Sequence, residues 1–279
     1  MPRRPGSGGL AAAPREEAGP PSPLLPSRSV SRAPRGPAPP VAPAGLEEGS
    51  APSSAPSMEG ERYDFHSHTL LTDGSAMPID MWHHAVLLGH RALAITDHLY
   101  GEDPRPMMTR LLADQEAFGS GGLTTLVGVE VSMLRPDRIA AAAKAARKAG
   151  AQIVIVHGET PVEPVPPGTN RAAIESNEVD LLAHPGLLSE PEAELARAHD
   201  VILELSSRRG HGLGNGIVAV RALAAGAQLV VDSDAHSAHD LIRQEFARKV
   251  ALGAGVPVSQ VERVITETPQ KLLKRLGRA

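Results

Sequence analysis

TTLVGVEVSMLRPDRIAAAAKAARKAGAQIVIVH, residues 124–157, decides the fold. Two apolar, β-branched runs, 124–130 and 152–157, flank an Ala-rich helical pattern over 138–149, and Gly150 is placed as its stop. The runs are apolar at nearly every position, as strands are when both faces of a sheet are covered. A strand, a helix of this length and a second strand form a right-handed crossover between parallel strands. Glu130 closes the first run and His157 the second.

The same alternation continues in both directions. Strand patterns occupy 62–66, 92–96, 180–184, 201–206 and 228–232; helical patterns occupy about 78–88, 107–118, 171–177, 190–198, 215–225 and 240–252. A last helix is expected from Pro269, with Thr268 as its N-cap, and Gly226 is a second helix stop. Seven strand–helix units predict an α/β fold, a closed or nearly closed barrel, with a doubly wound open sheet as the alternative.

Polar residues gather where the strands stop. The first strand runs into His66-Ser67-His68, the second into Asp97-His98, and the fifth ends in His184. The sixth carries Glu204, and the seventh runs into Asp232-Ser233-Asp234-Ala235-His236. With Glu130 and His157, each strand delivers a metal-competent or acid–base group at the C-terminal rim, where barrel enzymes build their sites. Residues two apart in an extended chain point the same way. His66 with His68 is therefore one gripping pair, backed by Asp64, and Asp234 with His236 is another, backed by Asp232. Imidazole and carboxylate without thiolate suit Zn, Mn, Fe or Co and do not select among them. A lone strand-end histidine is more often a satisfied residue than a ligand, so the joint pattern carries the reading. His83, His84, His90, His199 and His239 fall within or beside helical patterns and receive no role.

Composition sets the bounds. Residues 1–57 hold 14 of the 26 prolines and no Phe, Tyr, Trp, Lys, Asp or His. Such a segment cannot bury enough apolar surface to offset its ordering entropy and is expected to be a disordered extension. Met58 is a candidate start, which would leave 1–57 outside the native protein. Residues 58–279 suffice for one domain with a sizeable core. The chain has no cysteine and no signal-peptide core, so a cytoplasmic location without disulfides or thiolate-bound zinc is expected. A net charge of −4 gives no basic footprint for long nucleic acids, and no apolar run is long enough to span a bilayer. The oligomeric state is left open.

The stretches DFHSHTLLTDGS (64–75), AITDH (94–98), GVEVS (128–132), IVHGET (155–160), LAHPG (182–186), LELSSRRGH (203–211) and DSDAH (232–236) together resemble the PHP family, named for polymerase and histidinol phosphatase. The chain looks most similar to the stand-alone, histidinol-phosphatase-like phosphoesterases. The resemblance implies a distorted (β/α)7 barrel and two or three divalent ions, Zn, Mn or Fe. It implies that His66, His68, Glu130 and Asp234 hold a first ion, and that Glu130 bridges to a second held by His157 and His184. Asp73, His98 and His236 would hold a third; some family members have His where Asp73 stands, which leaves that site's metal preference open. The implied activity is hydrolysis of a phosphate ester, a small phosphorylated metabolite, by a metal-activated water. His66, His68, Glu130, Asp234 and His236 would form the catalytic centre.

Arg208, Arg209 and His211 after the sixth strand, and Arg171 in the GTNR stretch, are candidate phosphate-binding residues, since guanidinium pairs with phosphate at two points. Glu159 is a candidate acid–base or supporting group, and Asp97 is expected to orient His98 or cap a turn. Three alternatives stand beside this reading. One is a phosphodiesterase acting on small nucleotides, and another is a non-catalytic metal-binding module. The third is an amidohydrolase-type barrel, which uses a modified Lys at a strand end where this chain has Glu130.

Overall fold

The apolar runs become strands in the computed structural model, which describes residues 61–278. They are β1 (Arg62–Asp64), β2 (His90–Ile95), β3 (His98–Leu99), β4 (Thr124–Val131), β5 (Ile153–His157), β6 (Leu181–Ala183), β7 (Ile202–Ser206) and β8 (Leu229–Asp232). The extension expected over 1–57 lies outside the described residues. Every pairing is parallel, and the order β1-β2-β4-β5-β6-β7-β8 follows the chain. A doubly wound sheet reverses its strand order at a switch point, so the open-sheet alternative is excluded. A parallel bridge between Ser67 and Ala235 links the chain beyond β1 to the chain beyond β8 and nearly closes the barrel. β3 is the second strand resuming after an interruption at Thr96-Asp97; it pairs with β4 and sets His98 beside Glu130. That interruption turns seven expected strands into eight segments.

The helices are α1 (Pro78–Leu87), α2 (Arg105–Phe118), α3 (Pro136–Lys148), α4 (Thr169–Ile174), α5 (Glu190–His199), α6 (Asn215–Ala225), α7 (Gln244–Gly253), α8 (Val258–Glu262) and α9 (Thr268–Arg275). Proline in the first turn opens α1, α2, α3 and α5, where its missing N–H costs nothing. Ser189 and Glu192 close a capping box on α5. Gly150 (φ 102°) and Gly226 (φ 74°) stop α3 and α6 as expected. Thr268 does not cap a helix. Instead α8, a π-helical turn over Arg263–Glu267 and α9 run on without a break, and Thr268 is itself helical (φ −64°, ψ −47°). The wide π turn accommodates Pro269, which has no N–H to return to the preceding turn. Among the described residues, no helix is long and apolar enough to cross a membrane.

Strand alternation divides the core in two. Leu93, Ile95, Val127, Val129, Val154, Val156, Leu182, Leu203 and Leu205 pack outward under the helices. Phe65, Ala92, Ala94, Leu126, Ile153, Ile155, Leu181, Ile202 and Val230 fill the barrel interior, together with Leu272 and Leu273 of α9. Side chains thus plug the barrel and leave only its C-terminal end for chemistry.

His90 begins β2, is buried, and its Nε2 bonds to the Ile242 carbonyl at 3.0 Å. Burial, helped by Arg62, holds its pKa down to about 4. The unfolded chain therefore binds this proton more tightly than the fold. The stability His90 contributes is complete above its unfolded pKa of about 6.5 and is lost as pH falls towards the folded value. His90→Gln keeps a donor for Ile242 but cannot titrate. Between pH 7 and pH 4 the parent should lose about 3 kcal/mol more stability than the variant in urea unfolding. Equal losses would refute this.

Candidate metal centre

Alternation aims the donors. On β4, Leu126 faces the barrel interior, and so by alternation do Gly128 and, at the rim, Glu130; on β5, Ile153 and Ile155 lead to His157. Simple alternation on β6 would send His184 outward with Leu182. The chain leaves the strand conformation there, at φ 24°, and the imidazole joins the cluster. Asp234 also has a positive φ, 51°. Left-handed backbone at a non-glycine residue is strained and persists where the surroundings impose it.

Asp73 and its turn close one side. Asp97 accepts from Thr69 N (2.8 Å), Thr69 Oγ1 (2.7 Å) and Thr72 Oγ1 (2.7 Å). Of its two expected roles, Asp97 takes the turn. Gly74 is required there, because a Cβ would sit 2.6 Å from His68 O.

The nine candidate ligands converge as four overlapping groups. His66 Nε2 lies 3.0 Å from His68 Nε2. These two nitrogens face Glu130 at 3.4 and 3.6 Å and Asp234 Oδ1 at 3.6 and 3.4 Å. Glu130 Oε1 also faces His157 Nδ1 (3.3 Å) and His184 Nε2 (3.5 Å), and its Oε2 is 2.8 Å from His98 Nδ1. Asp73 faces His236 Nε2 (3.1 Å), His98 Nε2 (3.3 Å) and His68 Nδ1 (3.7 Å). Asp73 is 46% exposed and His236 15%, whereas the other seven are buried.

The donor set fits divalent metal. Two ligands about 2.1 Å from one ion stand roughly 3.0–3.5 Å apart, close to the spacing seen here. Glu130 Oε1, His68 Nδ1 and His157 Nδ1 are buried without a hydrogen-bond partner. Burial alone would raise the carboxyls of Asp73, Glu130 and Asp234, but the facing imidazoles outweigh it and hold all three below the usual carboxylate range. Burial lowers His184 to about 3 and keeps it neutral. Burial also opposes a proton on His98, yet Glu130 and Asp73 raise it to about 10. The ionised carboxylates and neutral His184 are in the forms that bind a cation, whereas His98 would have to exchange its proton for the ion.

Support comes from Glu204, which the sequence placed at the rim as a metal-competent or acid–base group without assigning it to an ion. Glu204 Oε1 lies 2.9 Å from His66 Nδ1, and its Oε2 accepts the His184 backbone N–H at 2.6 Å. Asp64 and Asp232 do not back the histidines as expected. Asp64 accepts from Ser233 N and Arg62, and Asp232 accepts from Phe65 N, so they tie β1 to β8 beneath the cluster.

A cavity of about 350 Å³ adjoins Asp234, lined in part by Arg208, Arg209, His211 and Glu163. Arg208 Nη1 bonds to Asp234 O (3.1 Å) and His236 Nδ1 (2.6 Å). The His211 ring lies against His184, centroids 4.2 Å apart and planes tilted by 50°. Arg171 is not brought there; it is exposed on α4 and pairs with Glu175 at 2.8 Å. Glu159 accepts from Gly168 N and Asn170 N, capping α4 rather than entering the site. Glu163, missed in the sequence, stands 3.4 Å from His211 Nε2 and 3.9 Å from His157 Nε2. It follows the last strand-end motif of β5 by several residues, within a proline-rich stretch without periodicity.

Fold and cluster together define a nearly closed parallel α/β barrel with a His/Asp/Glu cluster at the C-terminal ends of its strands. The structure of histidinol phosphate phosphatase from Lactococcus lactis, complexed with zinc, L-histidinol and phosphate, matches with a TM-score of 0.51 at 12% identity, over 71% of this chain and 95% of that one. An amidohydrolase from a Sargasso Sea sample matches with a TM-score of 0.50 at 12% identity, over 76% of this chain and 65% of that one. Fold likeness therefore does not separate these two chemistries. No family model matches the chain. The chain belongs to the same family as the uncharacterized protein MJ1295 of Methanocaldococcus jannaschii, to which it is 41% identical over 217 residues, 77% of this chain and 100% of that protein. A probable phosphatase of Shewanella frigidimarina is 36% identical over 133 residues, 41% of this chain and 52% of that protein. The chain thus matches about half the length of that relative.

Proposed function

We propose that the protein is a metal-dependent phosphoric ester hydrolase, a phosphomonoesterase of small metabolites. The observation that carries this is the juxtaposition of a Glu130-centred His/Asp cluster with Arg208, Arg209 and His211 around one cavity. The partial identity to a probable phosphatase supports it, whereas the amidohydrolase alternative rests on fold likeness alone. His66, His68, Glu130 and Asp234 would hold one ion, Glu130 with His157 and His184 a second, and Asp73, His98 and His236 a third. Divalent ions there would supply Lewis acidity, neutralising phosphate oxygens and acidifying a water.

The chain's own residues do the rest. Arg209 forms no ion pair among the described residues and is open to a phosphate oxygen. Arg208 is half-buried, and its Nε lies 3.6 Å from Asp234 Oδ2, so it ties the phosphate wall to the cluster. Burial, opposed only in part by Asp234 and Glu163, holds His211 below the ordinary histidine range, so the ring is neutral and its single N–H is a donor for a third oxygen. The test is elemental analysis of the purified full chain, with phosphate release measured under added Mn, Zn, Fe or Co. Two or three equivalents of metal and turnover are expected. A folded protein binding none of these metals overturns the reading.

Glu204 makes a sharper prediction. An amide cannot accept from both the His66 imidazole and the His184 N–H, so Glu204→Gln leaves one of them unpaired. Metal dissociation constants, measured by chelator competition, should rise about 10- to 100-fold. A change under threefold would deny Glu204 this positioning role.

A further inference from the structure

Ser132 stands two residues beyond Glu130, just past the end of β4, and is buried. Its backbone N–H bonds to Leu99 O at 3.0 Å, continuing the β3–β4 pairing that sets His98 opposite Glu130. Its hydroxyl lies 2.7 Å from His98 Nδ1 and 3.1 Å from Glu130 O. His98 Nδ1 also lies 2.8 Å from Glu130 Oε2, while His98 Nε2 faces Asp73 Oδ2 at 3.3 Å. His98 therefore belongs to two groups of candidate ligands, one with Glu130 and His157, the other with His68, Asp73 and His236.

The hydroxyl decides between them. A lone pair on Nδ1 would face the Glu130 carboxylate, acceptor against acceptor at 2.8 Å, so Nδ1 carries hydrogen. Ser132 accepts from it and donates its own hydrogen to Glu130 O. A ring nitrogen that carries hydrogen holds no ion, so the lone pair of a ligating His98 is on Nε2. Without the hydroxyl, Nδ1–H has only Glu130 Oε2 to bond, and that oxygen is drawn away from the ions. Building on the metal-centre half of the proposed function, we infer that Ser132 is a positioning residue for His98. It turns Nε2 to the ion of Asp73 and His236 and leaves both Glu130 oxygens to the other ions.

Ring nitrogen shifts of His98 in the zinc-loaded full chain, assigned by their loss in His98→Gln, read the orientation directly. Nδ1 should carry hydrogen and Nε2 should show the zinc-bound shift; the reverse overturns the inference. Ser132→Ala should raise the dissociation constant of one zinc about 10- to 100-fold in chelator competition. Ser132→Thr keeps the hydroxyl and should stay within about threefold of the parent. Asp73→Asn should weaken the same zinc, and adding Ser132→Ala to it should weaken binding less than Ser132→Ala does alone, because both act on one ion. Equal losses in the alanine and threonine variants, additive losses in the double variant, or a change under about threefold in Ser132→Ala each overturn the inference. Should Ser132→Ala fail to fold, the parent's ring shifts decide alone. Absence of turnover on phosphate esters counts against the phosphatase reading and leaves these readouts standing. A folded chain that binds no zinc overturns both.

Discussion

Glu130→Gln should slow phosphate release by at least about a thousandfold and remove at least one equivalent of bound metal. Glu130 is the one carboxylate that His66, His68, His98, His157 and His184 all face, at 2.8 to 3.6 Å. It is completely buried, and only the surrounding imidazoles keep its carboxyl ionised against that burial. Glutamine has the same shape, so β4 keeps its register and the variant should unfold cooperatively. Its charge is gone, and its amide N–H₂ must face one of the imidazole nitrogens. An ion held by Glu130 would lose its anionic ligand and meet a donor where an acceptor is needed. Elemental analysis and phosphate release on the same preparation check both halves. A variant with the parent's metal content and a rate within tenfold would remove Glu130 from the centre.

The positions of these donors were legible because the pattern is local. Runs such as 124–130 and 152–157 are apolar on both faces, which only a parallel sheet between covered layers demands, and their polar residues stand at the C-terminal ends. Pairing across the fold was not legible. Glu204 meets His66 across 138 positions, and nothing near either residue encodes that contact. Sequence proximity misled in the opposite sense: Asp64 and Asp232 adjoin ligand pairs along the chain, yet they satisfy backbone N–H groups between β1 and β8. Arg171 was a candidate because it lies in the GTNR stretch after the fourth strand, but the intervening loop carries it to the exposed side of α4. β3 escaped because two residues, His98-Leu99, are too short to show a period. The π turn before Thr268 escaped because its cause is a proline six residues after its start, which reads equally well as a helix beginning.

Gly128→Ala should cost about 3 kcal/mol and lower the melting temperature by about 6–12 °C. Gly128 pairs in register with Ile153 on β5, and by alternation it occupies the inner face of β4 directly beneath Glu130. A Cβ there would lie 2.0 Å from Ile153 O and 2.7 Å from Ile153 Cγ2, far inside van der Waals contact. The obstacle is backbone, which cannot rotate away as a side chain can, so β4 and β5 must separate. The two strands deliver Glu130 and His157, whose facing atoms are 3.3 Å apart, so the same displacement should weaken metal binding. Gly216 provides the contrast. It lies in α6 with open space around its Cβ position, and Gly216→Ala should be neutral or stabilising by up to about 1 kcal/mol. Calorimetric melting of both variants beside the parent checks the argument. A Gly128→Ala protein melting within about 2 °C of the parent would mean that the β4–β5 contact yields more easily than its geometry requires. Glu130 would then owe its position to its imidazole partners rather than to a rigid pair of strands.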